Sequence, residues 1–195
     1  MKSKVVVSLA IALVSLQVLL VFVSWLLSAT MDTGVRSFLT SEGIRWFLGS
    51  FTTMLQSPLL VWILLLSMAY GVADRAFFSP QTQPDRRKLG IRLSVLFVLL
   101  YVLVILSLTV IPHAVLISVS GHLFPSSPFS RALVPILAFG SIVGAVVYGF
   151  TTRVFRYVRD ITNALVYGLS EAAPVLFLYV LFMQFYASLR FVFDW

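Results

Sequence analysis

The sequence predicts an all-α integral membrane protein, a helical bundle of about five transmembrane helices with one or two interfacial helices beside them. Three observations carry that prediction. Hydrophobic residues make up 60% of the chain and charged residues only 11%, with a mean hydropathy of +1.02. The apolar residues come in runs of about 20, the length an α-helix needs to cross the hydrocarbon core. No polar stretch exceeds about 20 residues, so a separate water-facing core has nowhere to form. Residues 1–195 therefore read as a single membrane domain.

The first span runs from Val5 to Ser28, with Trp25 placed near its far end where an indole suits the headgroup level. This run is longer than the apolar region of a signal peptide, and SWLLSATMDTG offers only a weak cleavage site, so it reads as a retained helix. In the next stretch, Val35, Phe38, Leu39, Ile44, Trp46, Phe47 and Leu48 interleave with Arg36, Glu42 and Arg45. Thr40-Ser41 can cap a helix beginning near Glu42, and the mixture predicts a short interfacial helix. The second span is expected from Phe51 to Val72. Within it, Pro58 either kinks the helix or marks its start, because proline lacks an N–H and crowds the preceding turn.

ADRAFFSPQTQPDRRKLGIR, the most polar segment, reads as a loop. The third span, Leu93 to Pro112, carries no charge and is expected to face lipid around much of its circumference. HAVLISVSGHLFPSSPFSRAL, with Gly121, Pro125 and Pro128, reads as a second loop, on the side opposite the first. Two further spans follow, Val134 to Phe150 and Ile161 to Leu189, separated by the basic elbow TTRVFRYVRD.

Charge sets the orientation. The formal net charge is +7, but the cations sit in short loops beside apolar runs, which is the positive-inside pattern and points to a bilayer rather than to nucleic acid. Lys2, Lys4, Arg75, Arg86, Arg87, Lys88, Arg92, Arg153, Arg156 and Arg159 fall on one side, and Arg36, Arg45, Arg131 and Arg190 on the other. Ten against four predicts a multi-pass protein of the cytoplasmic (inner) membrane with its N-terminus inside and its C-terminus outside.

Little in the chain suggests catalysis. There is no cysteine, metal-ligand cluster, phosphate-binding glycine loop or nucleophile elbow, so no enzyme, cofactor or metal is expected. His113 and His122 stand nine residues apart without an acidic neighbour and read as interfacial. Glu171 stands out. About eleven residues beyond Asp160, a continuous helix would carry it to membrane depth, where a carboxylate is costly unless paired, protonated or wetted. It is a candidate for substrate or proton binding. The alternative has Pro174 break the segment, so that Ile161 to Ser170 lies along the interface and Glu171 sits at the N-terminus of the true span, favoured by the helix dipole. Gln184, an amide in mid-span, is the second candidate, for a substrate or for a neighbouring helix. Gly140, Ser141, Gly144, Ala145 and Gly149 recur at helical spacing and predict close helix packing, within the chain or in a dimer.

The stretch TSEGIRWFLGSFTTMLQSPLLVWILLLSMAYGVADRAFF resembles the start of the AbgT transporters, the p-aminobenzoyl-glutamate transporter family. Gly43 to Trp46 match an interfacial turn of that family, and Gly71 to Asp74 its closing turn, with aspartate where glutamate is usual. PDRRKLGIRL, PSSPFSRALVPI, Tyr148-Gly149, Arg159-Asp160 and Gln184-Phe185 are similar, in order, to its later half. The resemblance thus divides the chain into 1–78, like the start of the first family repeat, and 84–195, like the start of the second.

Family members are more than twice this length and carry re-entrant hairpins that form the substrate site near the midplane. Neither hairpin is recognisable in these residues, and Glu171 matches no family position. The resemblance therefore implies scaffold helices: a scaffold or accessory subunit not transporting on its own, assembled with itself or with another membrane subunit. The alternative it implies is a minimal proton-coupled transporter of p-aminobenzoyl-glutamate or sulfonamide-like anions, using Glu171 and Gln184.

Overall fold

A computed structural model describes residues 2–30, 35–78, 84–110 and 128–193. Among these residues there are six α-helices and no strand: α1 (Lys2–Thr30), α2 (Ser41–Leu55), α3 (Pro58–Phe77), α4 (Pro84–Val110), α5 (Pro128–Thr151) and α6 (Val158–Phe193). All but α2 are long and apolar enough to cross a membrane. His113 and His122 lie outside the described residues.

Helix α2 begins as its sequence requires. The Thr40 hydroxyl accepts the Gly43 N–H at 3.2 Å, and Glu42 lies in the first turn, where an acid complements the helix dipole. Pro58 settles the boundary that follows. It opens α3 instead of kinking a longer span, so the expected Phe51–Val72 helix becomes two, with Gln56 and Ser57 between them. At a first helical position the missing proline N–H costs nothing, since that group has no intrahelical partner there.

The same reasoning corrects the polar loop. Ala73 to Phe77 finish α3, and Pro84 to Arg92 are already the first turns of α4. The charges there extend helices beyond the apolar run rather than interrupting them. Likewise α5 begins at Pro128, inside the stretch read from sequence as a loop. Pro174 does not break α6, which continues for 36 residues. In a membrane helix, proline removes one i to i−4 bond, here to the Ser170 carbonyl, while apolar packing holds the remaining turns. The interfacial reading of Ile161 to Ser170, with Glu171 at a helix start, is thereby overturned.

The contacts group into two units, Met1–Leu60 with Ala173–Trp195, and Val61–Ala172. In the first, Leu20, Phe38, Phe191 and Val192 form a buried cluster with Trp46 and Phe47 packed on it. Trp46 stacks on Phe191 with centroids 4.2 Å apart, and the Arg36 N–H donates to the Val192 carbonyl at 3.1 Å. In the second unit the core is Val72, Ala76, Ala145, Tyr148, Phe155 and Ala164.

Candidate functional site

The second unit is built on close helix contacts that small residues permit. Gly71 of α3 faces the Ala164 carbonyl and Gly168 of α6, while Gly168 faces the Ser67 carbonyl and Gly71. The earlier α3 residue pairs with the later α6 residue, so the two helices run antiparallel. Neither glycine is marked in the sequence as a packing residue. Two isolated glycines on helices nearly a hundred residues apart carry no repeat spacing, and only the fold shows that they meet.

The predicted small-residue face of α5 is used inside the chain. A Cβ on Gly140 would meet the Tyr101 ring at 2.8 Å, and one on Gly144 would meet Val98 at 2.8 Å, both on α4. Tyr101 donates to the Ile136 carbonyl and Ser94 to the Gly144 carbonyl, locking α4 to α5 at 2.9 and 2.8 Å. Gly149 faces the Phe155 ring at the elbow, and Ala145 is buried in the core. Of the five small residues, Ser141 alone is exposed, its hydroxyl donating to the Ala138 carbonyl.

Around the α3–α6 crossing lies a group of polar side chains. The Arg75 guanidinium sits 4.7 Å from the centroid of the Tyr167 ring, a cation–π contact between the helices. Tyr70 and Asp74 from α3, and Glu171 one turn along α6, lie close enough to Tyr167 to act on it electrostatically. Glu171, Tyr70 and Arg75 are exposed, whereas Asp74 and Tyr167 are half-buried. Glu171 stands eleven residues past Asp160, about 16 Å along a continuous helix that is long and apolar enough to cross a membrane. Carboxylate, guanidinium and phenol together can take up a proton, hold an anion or bind a partner helix. Among the described residues no group of three His, Asp or Glu is placed to hold a metal ion.

Gln184 lies elsewhere. It is half-buried on the part of α6 that belongs to the first unit, thirteen residues beyond Glu171, which belongs to the second. One turn beyond Gln184, the buried Ser188 accepts a hydrogen bond from the Gln17 amide at 2.9 Å, which ties α1 to α6. Gln17 is legible as the lone amide of an apolar run, yet its partner is not, because Ser188 is one of many serines in the sequence.

The later part of the chain, residues 79–195, matches the AbgT putative transporter family. The chain belongs to that family. The AbgT match takes in α4, α5, α6 and the carboxylate Glu171; the resemblance read at Gly43 to Trp46 and Gly71 to Asp74 lies outside it. No curated protein and no solved structure matches the chain.

Proposed function

We propose that this AbgT-family chain is a membrane scaffold or accessory subunit that acts in an assembly, paired with a second copy or with another membrane protein, rather than transporting on its own. One observation carries the reading: Glu171 is exposed on a helix that runs unbroken past it and is long and apolar enough to cross a membrane. A carboxylate within the bilayer is stable when it faces protein or water and unstable when it faces lipid. Among the described residues none covers it. One turn on, Pro174 is also exposed, a compact residue that lets a neighbouring helix approach. Gly140 and Gly144 pack against α4 within the chain, and in this reading the contact with a partner is the α6 surface at Glu171.

In this reading the protein sits in the cytoplasmic membrane with the elbow between α5 and α6 inside. Light scattering in mild detergent, together with co-purification from native membranes, tests it. An assembly larger than one chain, weakened by Glu171→Leu, is the expected result. A monomer in mild detergent that brings down no membrane protein rejects it.

The cluster of Asp74, Arg75, Tyr167 and Glu171 favours a second reading, a minimal proton-coupled carrier of p-aminobenzoyl-glutamate or sulfonamide-like anions, with Glu171 as the proton site and Arg75 as the anion contact. Uptake into proteoliposomes under a pH gradient separates the two. Flux above empty liposomes that is lost in Glu171→Gln favours the carrier, and absence of flux favours the subunit.

A further inference from the structure

The C-terminal end of α6 carries a feature that the transporter-like reading does not use. Arg36, Ser50, Thr53 and Arg190 line one cavity of about 330 Å³, at the small end of the range for ligand clefts. Trp46 and Phe191, stacked on each other, form an aromatic wall of the same cavity. We propose that this cavity binds the phosphate of an anionic phospholipid.

Position and chemistry both point there. Phe193 ends α6, so Arg190 lies within its last turn, where a spanning helix reaches the headgroup region. Arg36 is held at the same level by its backbone: its N–H donates to the Val192 carbonyl at 3.1 Å, and its guanidinium lies 5.9 Å from the centroid of Phe191. Helix α2, which supplies Trp46, Ser50 and Thr53, is amphipathic and suited to lie in the plane of the interface.

Two guanidiniums with hydroxyls beside them match phosphate. Each guanidinium has five N–H donors in a planar fork, so it can serve an intramolecular partner and a phosphate at once. Among the described residues no acidic side chain lines the cavity. The aromatic wall offers the acyl-glycerol part an apolar surface and a tryptophan at headgroup depth. A zwitterionic lipid presents the same phosphate beside a cation that two arginines repel, so the cavity selects anionic lipid.

Native mass spectrometry of the full chain in mild detergent tests this, with phosphatidylglycerol, phosphatidylcholine or inorganic phosphate added at equal concentration. The wild type is expected to retain phosphatidylglycerol over phosphatidylcholine. Arg36→Gln and Arg190→Gln should each weaken retention roughly tenfold, the effect of losing one charged hydrogen-bonding partner. Lys4→Gln, at the start of α1, should leave it unchanged. Arg190→Lys keeps the charge, loses the fork and should fall between, which gives a reading even where the glutamine variants do not survive purification. Equal retention of the two lipids, full retention in Arg190→Lys and Arg190→Gln, or an equal loss in Lys4→Gln overturns the proposal. Retention of inorganic phosphate in place of the lipid overturns the assignment to a membrane source.

Discussion

Gly71 of α3 and Gly168 of α6 meet backbone to backbone. A side-chain carbon on Gly168 would lie 2.9 Å from the Gly71 Cα and closer still to the Ser67 carbonyl oxygen. Backbone cannot move aside as a flexible side chain can, so even one methyl group must push the two helices apart. Gly168→Ala and Gly71→Ala are each expected to lower stability by about 1–3 kcal/mol, the usual range for overpacking. Gly49, exposed on α2, is the internal control, because a methyl group there would have nothing within 4 Å. Gly49→Ala should be neutral or stabilising by up to about 1 kcal/mol, from the entropy that glycine loses in a helix. Thermal unfolding in detergent separates the two behaviours. Equal effects at Gly49 and Gly168 reject the close approach.

Tyr179 supports the break between α2 and α3. Its hydroxyl lies 2.7 Å from the Ser57 hydroxyl and donates to the Leu55 carbonyl at 3.1 Å, bridging the two residues that flank Gln56. The tyrosine is buried, so these groups have little water to turn to. Tyr179→Phe keeps the ring and removes the bridge, and should cost about 1–2 kcal/mol, in the range for leaving a buried polar group unpaired. Ser57→Ala leaves the bond to Leu55 in place and should cost less. An unchanged melting temperature in Tyr179→Phe counts against the bridge.

Those two sites mark what the sequence makes legible and what it does not. Spans and caps follow from local rules, so the apolar runs and the Thr40 cap are readable. Helix ends are less so. Arg86 to Arg92 look like loop by polarity, yet a helix leaving the bilayer keeps its hydrogen bonds among charged residues as well as among apolar ones. Pro174 misleads in the opposite direction: proline signals a break in a short soluble helix, but α6 has apolar turns on both sides to sustain it. Gly71 with Gly168, Gln17 with Ser188, and Arg36 with Arg190 are out of reach for one reason. Each pair joins distant parts of the chain, and its meaning depends on a packing register that single residues do not encode. Glu171 is conspicuous in the sequence because a lone carboxylate in an apolar run is rare, but its depth depends on whether α6 continues.

At the elbow after α5, Arg153 adopts a φ of 60°, in the left-handed region that side chains with a Cβ disfavour. The turn it makes brings the Phe155 N–H to the Gly149 carbonyl at 3.0 Å and seats Phe155 in the core. Glycine reaches that conformation without the steric cost. Arg153→Gly should therefore stabilise the protein by up to about 1 kcal/mol, and Arg153→Val, β-branched at the same φ, should destabilise it by about 1–2 kcal/mol. The opposite order in thermal unfolding would show that the Arg153 side chain, not its backbone, governs the turn.

The membrane orientation proposed for the chain yields a prediction that its composition makes easy to test. The sequence has no cysteine, so a single introduced one is the only site for a maleimide. Tyr157 is exposed in the elbow between α5 and α6, flanked by Arg156 and Arg159, and Ser41 is exposed at the first residue of α2. Neither replacement removes a cation, so the ten-to-four bias that sets the orientation is untouched. A membrane-impermeant maleimide should label Ser41→Cys in intact cells and Tyr157→Cys only after permeabilisation. The reverse pattern would invert the topology. It would also place Arg36 and Arg190 at the cytoplasmic leaflet, so this experiment also decides which face of the membrane supplies the proposed lipid.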